Sequence, residues 1–192
     1  MTLYKKKYRI ESIRLPNRDY GANGWYFVTI CTGDRLPYFG NIINGQMQLS
    51  AIGKIARQFW LEIPNHSKYT YIDEYVIMPN HVHGIIVIDK PDRYCRDVAC
   101  NVSTRSNDKY DLSRAMSQMS PKSNSLGVII RSYKSSVTRW CRTNNRQNFA
   151  WQSRFYDRVI RKDGSLDRIR QYIINNPAKW EKDRNNSASL WM

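Results

Sequence analysis

The strongest constraint on the fold is the segment 75–88, which is apolar almost throughout yet contains two histidines separated by one residue. Its Val and Ile residues predict two strands joined by a turn at Pro79-Asn80. Because side chains alternate between the faces of a strand, His81 and His83 should point to one face and Val82 to the other. Two imidazoles on one face of a rigid strand predict a metal site, and the alternative is a half-exposed strand with polar residues.

The composition is that of a basic, single-domain globular protein. The chain has 192 residues, of which 41% are hydrophobic, and it has no apolar run of about 18 residues that could span a membrane. The 31 Lys and Arg residues outnumber the 16 Asp and Glu residues, which gives a formal net charge of +15. Because the basic residues are interleaved with aromatic ones along the chain, the predicted partner is nucleic acid and not a membrane surface.

The N-terminus and the cysteines predict a cytoplasmic protein. Residues 1–7 are basic but no apolar segment follows them, so a secretory signal is not expected. The four cysteines lack the spacing of a zinc site, and we expect them to be reduced thiols. They are Cys31, Cys95, Cys100 and Cys141.

Turn signals and hydrophobic patterns divide the chain into alternating strands and helices. The predicted strands are 25–32, 69–78, 81–88 and 155–160. Helices are predicted after an N-cap at Ser50, over 125–142, and from an N-cap at Ser165 to a terminating Pro177. This order predicts the α+β class, with a ferredoxin-like antiparallel sheet that has helices on one face and the other face available for a ligand.

The predicted domain organisation is simple. A single domain is expected over residues 1–182, and it begins with a basic N-terminal arm at 1–20. Residues 90–124 are rich in Ser, Asn, Asp and Arg, and we interpret them as a long polar loop inserted into the domain. Residues 183–192 would form a C-terminal tail.

The last predicted helix carries a second group of polar side chains. Leu166, Ile169 and Ile173 form an apolar stripe that predicts packing against the sheet. Tyr172 and Asn176 are four residues apart and share an adjacent stripe. If that stripe faces the histidines, the phenol oxygen would lie beside a metal site and could attack a phosphate to form a phosphotyrosine ester. The alternative is a tyrosine that packs as helix aromatics usually do and an asparagine that caps the helix.

Four blocks of this sequence resemble the successive blocks of a known family. They are residues 26–32, 78–86, 151–157 and 169–180. Together they are similar to the REP-associated tyrosine transposases, which are relatives of the single-tyrosine insertion-sequence transposases within the HUH nuclease superfamily. The resemblance covers roughly residues 10–90 and 124–182. It implies the HUH nuclease fold, with a catalytic tyrosine on a late helix.

The resemblance also implies roles for individual residues. His81 and His83 correspond to the metal-binding pair of the family, with Mg²⁺ or Mn²⁺ as the cofactor, and Asn176 corresponds to a third ligand in relatives. Tyr172 corresponds to the nucleophile. The implied function is that of a transposase, a metal-dependent single-stranded DNA endonuclease and strand transferase with a covalent 5′-phosphotyrosine intermediate, acting on hairpin-forming palindromic repeats. Arg158 stands where relatives often have histidine.

The expected partner is single-stranded or hairpin DNA, bound by a monomer or a homodimer. The basic residues predicted to contact DNA are Arg14, Arg131, Lys134, Arg154, Arg158 and Arg161. Two other functions stay open, a catalytically silent DNA- or RNA-binding module and a phosphodiesterase that uses water, with Tyr172 merely structural. Tyr156 is a second candidate for the nucleophile, whereas Tyr133 has the spacing of a core residue.

Overall fold

The computed structural model describes residues 19–91, 124–161 and 164–182. Most of the predicted N-terminal arm and of the polar insertion lies outside these residues, as do the whole C-terminal tail, Cys95 and Cys100. The elements in chain order are β1 (Gly24–Cys31), β2 (Gly40–Ile43), β3 (Gln46–Leu49), α1 (Ala51–Leu61), α2 (Ile63–His66), β4 (Thr70–Ile77), β5 (His81–Ile88), α3 (Leu126–Thr143), β6 (Tyr156–Ile160) and α4 (Ser165–Asn175). Short 3₁₀ helices occupy Gly33–Arg35 and Pro177–Lys182.

The main sheet has four strands in the order β4-β5-β1-β6, and neighbouring strands are antiparallel. With α1 and α3 as the crossover helices, this is the arrangement of a ferredoxin-like fold. The predicted fold class is therefore confirmed. β1, which is rich in β-branched and aromatic residues, is an inner strand, and its neighbour β5 is buried along its whole length.

Helices α1 and α3 pack on the same face of the sheet and form the main hydrophobic core with it. Buried residues of this core include Trp60 on α1, Ile130 on α3 and Ile86 on β5. A Cβ atom at Gly84 would lie 2.3 Å from the Trp60 ring, so the indole occupies the space that only a glycine leaves. This close contact fixes the distance between α1 and β5.

The last helix lies on the opposite face of the sheet. Ile173 of α4 is buried against Ile85, Val87 and Ile160, which form a second hydrophobic cluster. The apolar stripe predicted for this helix therefore packs against the sheet. It covers part of the face that was expected to be available for a ligand, and it brings the rest of α4 to the side on which the two histidines point.

Of the two helix N-caps predicted from the sequence, one is confirmed and one is wrong. Ser50 caps α1 as predicted, since its hydroxyl accepts a hydrogen bond from the Gly53 N–H at 3.1 Å. The N-cap predicted at Ser165 is wrong. Gly164 is the cap, with a left-handed backbone at φ 73°, and Ser165 already belongs to the helix and donates its hydroxyl to the Arg161 carbonyl. The glycine turns the chain between β6 and α4, a conformation that other residues adopt at a cost.

A small hairpin, β2–β3, lies between the first strand and Ser50, where the sequence analysis predicts no strand. Its turn is Asn44-Gly45, and both residues have a positive φ, at 50° and 71°. An Asn-Gly pair between two short apolar segments is a strong hairpin signal, and it was present in the sequence. The turn reaches Ala178, so the hairpin contacts the 3₁₀ helix that follows α4.

Two further expectations concern the thiols and the membrane. Cys31 and Cys141 are free thiols, as predicted, and both are buried. None of the helices within the described part of the chain is long and apolar enough to cross a membrane.

Candidate active site

His81 and His83 lie side by side on β5 and, as predicted, on one face of the sheet. Their ring centres are 4.4 Å apart, and both side chains are fully buried. The strand register places Thr29 of β1 opposite His83. Because β5 is an inner strand with neighbours on both sides, the backbone that carries the two imidazoles is held rigidly.

Hydrogen bonds fix the orientation of the His81 ring. Its Nδ1 lies 2.8 Å from the Oδ1 atom of Asn80, whose Nδ2 donates to the Arg35 carbonyl at 3.0 Å. Since the amide nitrogen of Asn80 is used in this way, the atom that faces the ring is an oxygen, which can only accept. His81 therefore carries a proton on Nδ1, and in the neutral ring the lone pair is on Nε2.

His83 is oriented in the same way by a hydroxyl group. Its Nδ1 is 2.8 Å from Thr29 Oγ1, and its ring is stacked on Phe27 with the ring centres 5.3 Å apart. On the other side of the ring, Nε2 is 3.2 Å from the hydroxyl oxygen of Tyr172. Because both hydroxyl groups can donate or accept, these contacts fit either tautomer of His83, and in one of them Thr29 accepts from Nδ1–H while Nε2 accepts from the phenol. In this arrangement both neutral histidines present a lone pair at Nε2, which is the form that binds a metal ion.

Tyr172 projects from α4 toward the histidine pair. Its hydroxyl meets His83, its ring packs edge-on against Phe27 at a centre distance of 6.1 Å, and 43% of the residue is exposed. It also borders a groove of about 420 Å³ on the outer side of α4. The other residues lining the groove are Asp167, Arg168, Gln171, Asn175 and Lys179. The phenol is therefore reachable from solvent, while its oxygen contacts the buried His83.

An ion pair holds α4 against the edge of the sheet. Both Nε and Nη2 of Arg170 are 2.9 Å from Asp73 Oδ2, and Nη1 is 3.2 Å from Asp167 of the same helix. The hydrogen bond with Asp73 is the main reason that the pKa of Arg170 is raised. The guanidinium also lies 5.8 Å from the centre of the Trp25 ring. Asp73 lies at an irregularity of β4, between Ile72 and Tyr75, where the register with β5 shifts.

Asn176 forms the C-cap of α4, one turn after Tyr172, and its side chain is buried. The described ranges contain no group of three or more His, Cys, Asp or Glu side chains that could hold a metal ion. A metal ion at His81 and His83 would therefore need oxygen ligands such as the Asn176 amide, water or substrate. Two imidazoles with neutral oxygens and open positions are a donor set that Mg²⁺ and Mn²⁺ accept.

The residues predicted to bind DNA divide into two groups. Arg158 is exposed on β6 and pairs with Phe27, so it lies on the same face as the histidines. Arg154 and Arg161 are exposed on either side of this strand. Arg131 and Lys134 belong to α3, on the face of the sheet opposite the histidines, and contact of these two residues with DNA stays a prediction. Arg14 lies outside the described residues.

Lys134 has an internal role in the fold. Its ammonium group donates to the carbonyls of Gln152 and Arg154 and lies 5.8 Å from the centre of the Trp151 ring. Burial lowers its pKa. These contacts fasten the segment before β6 to α3, which explains a lysine there without any contact to DNA.

The two other tyrosines considered as alternatives lie in different environments. Tyr133 is buried in the main core, where its hydroxyl donates to the Ala56 carbonyl at 3.2 Å and burial raises its pKa. It is packed as predicted. Tyr156 is 51% exposed and pairs with Thr29 across β1 and β6. It therefore lies on the face of the two histidines.

The sequence reasoning missed the residues that orient this site. Thr29 and Asn80 both lie within the blocks that carry the family resemblance, but neither received a role. The signal for Asn80 was its position directly before His81. The Asp73–Arg170 pair joins residues 97 positions apart and had no local signal.

The chain was compared with protein-family models, with curated proteins and with solved structures. No protein-family model matches the chain. An uncharacterized protein of Haemophilus influenzae (strain ATCC 51907 / DSM 11121 / KW20 / Rd) is 39% identical over 173 residues, which cover 90% of this chain and 91% of that protein. The two proteins belong to one family.

Solved structures identify the fold. A REP-associated tyrosine transposase bound to a REP hairpin matches with a TM-score of 0.53 at 18% identity, covering 91% of this chain and 73% of its own. The resemblance to REP-associated tyrosine transposases is thereby confirmed for the fold. A candidate transposase of Deinococcus radiodurans R1 is 14% identical over 84% of this chain and 97% of its own, and its TM-score of 0.37 is too low to support an argument.

Proposed function

We propose that the protein is a transposase-like enzyme that cuts and rejoins single-stranded DNA through a covalent tyrosine intermediate. One observation carries the proposal, the 3.2 Å contact between the Tyr172 hydroxyl and His83 Nε2 beside a second imidazole. A merely structural helix aromatic would not need to place its hydroxyl at a pair of oriented histidines. The REP-associated transposase fold supports the same interpretation.

The residues of the chain supply position and orientation for the chemistry. Tyr172 Oη attacks the phosphorus atom of a backbone phosphate, so that an O–P bond to tyrosine forms while the bond from phosphorus to the 3′ oxygen breaks. The phenolic proton passes to water, and the leaving oxygen takes a proton to become a free 3′-hydroxyl. The phosphate at the 5′ end stays on the enzyme, and attack by a 3′-hydroxyl on this ester reverses the reaction and joins the strands.

A divalent ion is the proposed cofactor, and His81, His83 and Asn176 would hold it. When bound, Mg²⁺ or Mn²⁺ would polarise the phosphoryl oxygens and offset charge in the transition state. Asn80 and Thr29 would keep both histidines in the tautomer that binds a metal ion.

Single-stranded DNA, including hairpins, is the proposed substrate. The formal net charge of +15 favours a polyanion, and Arg158 provides a cation on the face of the site. The matched transposase structure contains a REP hairpin, which makes hairpin DNA the first substrate to test.

The test is covalent capture of labelled oligonucleotide. The protein is incubated with single-stranded or hairpin DNA and Mn²⁺, and the products are separated on a denaturing protein gel. A label that migrates with the protein is expected for the wild type and should disappear in Tyr172→Phe, which removes one oxygen and little volume. Tyr156→Phe is the matched control and should retain the adduct.

The outcomes separate the alternatives. Cleaved DNA without an adduct would indicate a phosphodiesterase that uses water, and binding without cleavage would indicate a silent binding module. An adduct that persists in Tyr172→Phe and vanishes in Tyr156→Phe would show that the nucleophile is assigned to the wrong residue. Competition between a hairpin and an unstructured strand at fixed salt then tests the substrate, because equal competition contradicts hairpin recognition.

A further inference from the structure

We infer that Tyr156 is a base-stacking residue, which binds a nucleobase next to the phosphate that Tyr172 attacks. The inference rests on the proposed function, because it places a DNA strand relative to that tyrosine. It gives a role to an exposed aromatic ring that neither the core nor the proposed chemistry uses.

The strand register puts the Tyr156 ring in line with the site. Tyr156 pairs with Thr29 on β1, and Thr29 pairs with His83 on β5. Directly opposed residues in antiparallel strands point to the same face, so all three side chains form one row across the sheet. Two strand spacings separate Tyr156 from His83, about 10 Å, which a nucleotide that flanks the attacked phosphate can bridge.

The surroundings of the ring suit single-stranded DNA. Tyr156 is 51% exposed on β6, an outer strand of the sheet, although an aromatic ring of this size usually gains free energy by being buried. Arg158 follows two residues later, so it points to the same face and is exposed. An aromatic ring beside a cation is the combination with which proteins bind single strands, since the ring stacks on a base and the cation contacts the backbone.

The position on β6 also defines what the ring would do. In the sheet order, Tyr156 on β6 lies on one side of His83 and β4 lies on the other side. β4 is the strand to which the Asp73–Arg170 ion pair fastens α4. A DNA strand with one base stacked on Tyr156 would therefore pass over Thr29 toward His83. Its next phosphate would then lie at Tyr172. The ring would set which phosphate reaches the nucleophile without touching the reacting atoms.

The experiment measures binding of single-stranded DNA that carries a fluorescent purine analogue. Binding is measured in the Tyr172→Phe background, where covalent chemistry does not contribute. Adding Tyr156→Ala should weaken binding about tenfold to a hundredfold and abolish the quenching of the analogue, because stacking on one base is lost. Adding Tyr156→Phe keeps the ring and should change the affinity less than about twofold on the same grounds.

Tyr71 provides the matched control. It is 55% exposed on β4, the outer strand at the opposite edge of the sheet, and it pairs with Val87 near the far end of β5. Tyr71→Ala should leave both affinity and quenching unchanged. Equal losses in Tyr71→Ala and Tyr156→Ala, or equal losses in Tyr156→Phe and Tyr156→Ala, would overturn the inference.

The same variants separate this inference from the proposed function. If the wild type forms no covalent adduct but Tyr156→Ala abolishes quenching, the transposase chemistry is overturned and the stacking role stands. If the adduct forms and Tyr156→Ala binds and quenches as the parent protein does, the stacking role alone is overturned.

Discussion

The Asp73–Arg170 ion pair should control adduct formation by Tyr172 more strongly than it controls stability. The pair joins α4 to β4, and two guanidinium nitrogens meet one carboxylate oxygen at 2.9 Å. The substitution Asp73→Asn keeps the size of the side chain and removes its charge. Because Tyr172 lies two residues after Arg170, loosening this anchor changes where the phenol oxygen lies relative to His83.

The expected loss of unfolding free energy follows from the exposure of the two side chains. They are 33% and 20% exposed for Arg170 and Asp73, so the pair lies between a surface ion pair, at about 0–1 kcal/mol, and a charged hydrogen bond shielded from water, at about 1.5–3 kcal/mol. We expect a loss of about 1 kcal/mol of unfolding free energy, which lowers the melting temperature by about 2–4 °C. The rate of adduct formation should fall about tenfold because the nucleophile is misplaced. This corresponds to an increase of roughly 1.4 kcal/mol in activation free energy.

The assay combines thermal melting with the rate of covalent capture at saturating DNA. Asp167→Asn is the matched control, because its carboxylate also contacts Arg170 but is 82% exposed and belongs to α4 itself. It does not connect the helix to the sheet, so the rate should stay within about twofold of the wild type. A rate unchanged in Asp73→Asn, or reduced equally in Asp167→Asn, would refute the positioning argument.

Three further predictions address orientation, packing and charge. Asn80→Ala removes the acceptor of the His81 Nδ1 proton and should raise the Mn²⁺ concentration needed for adduct formation by about tenfold to a hundredfold, measured by metal titration; an unchanged titration would contradict this role. Gly84→Ala places a methyl group 2.3 Å from the Trp60 ring and should destabilise the fold by about 1–3 kcal/mol, measured by chemical unfolding. Arg158→Gln should reduce the slope of log affinity against log salt by about one unit, and an unchanged slope would exclude a phosphate contact there.

The parts of the site that could be predicted are those that depend on local periodicity. The alternation of side chains along β5 was sufficient to put His81 and His83 on one face, whatever the rest of the fold. The helical repeat around Ile173 likewise indicated which side of α4 packs, and that Tyr172 lies on an adjacent stripe of the helix. Both inferences can be made without information on which strands and helices are neighbours in the fold.

The parts that could not be predicted depend on contacts between distant elements. The bond from Thr29 to His83 requires the register between β1 and β5, which no short pattern in either strand specifies. The position of Arg131 relative to the site is a second case, because the helical stripe of α3 indicates only which side of the helix is buried and not which face of the sheet the helix covers. The missed hairpin at Asn44 differs, since its turn signal was local and was overlooked.

The dependence of the site on α4 has a physical cause in the length of this helix. α4 has 11 residues, and isolated helices shorter than about 12–15 residues are marginal in water, so its position is set by its tertiary contacts. Those contacts are mainly the burial of Ile173 and the ion pair of Arg170, one on each side of Tyr172 in sequence. The histidines are instead held by β5 in the middle of the sheet. Damage to either anchor of α4 should therefore separate the nucleophile from His83 by local opening, at a free energy below that of global unfolding.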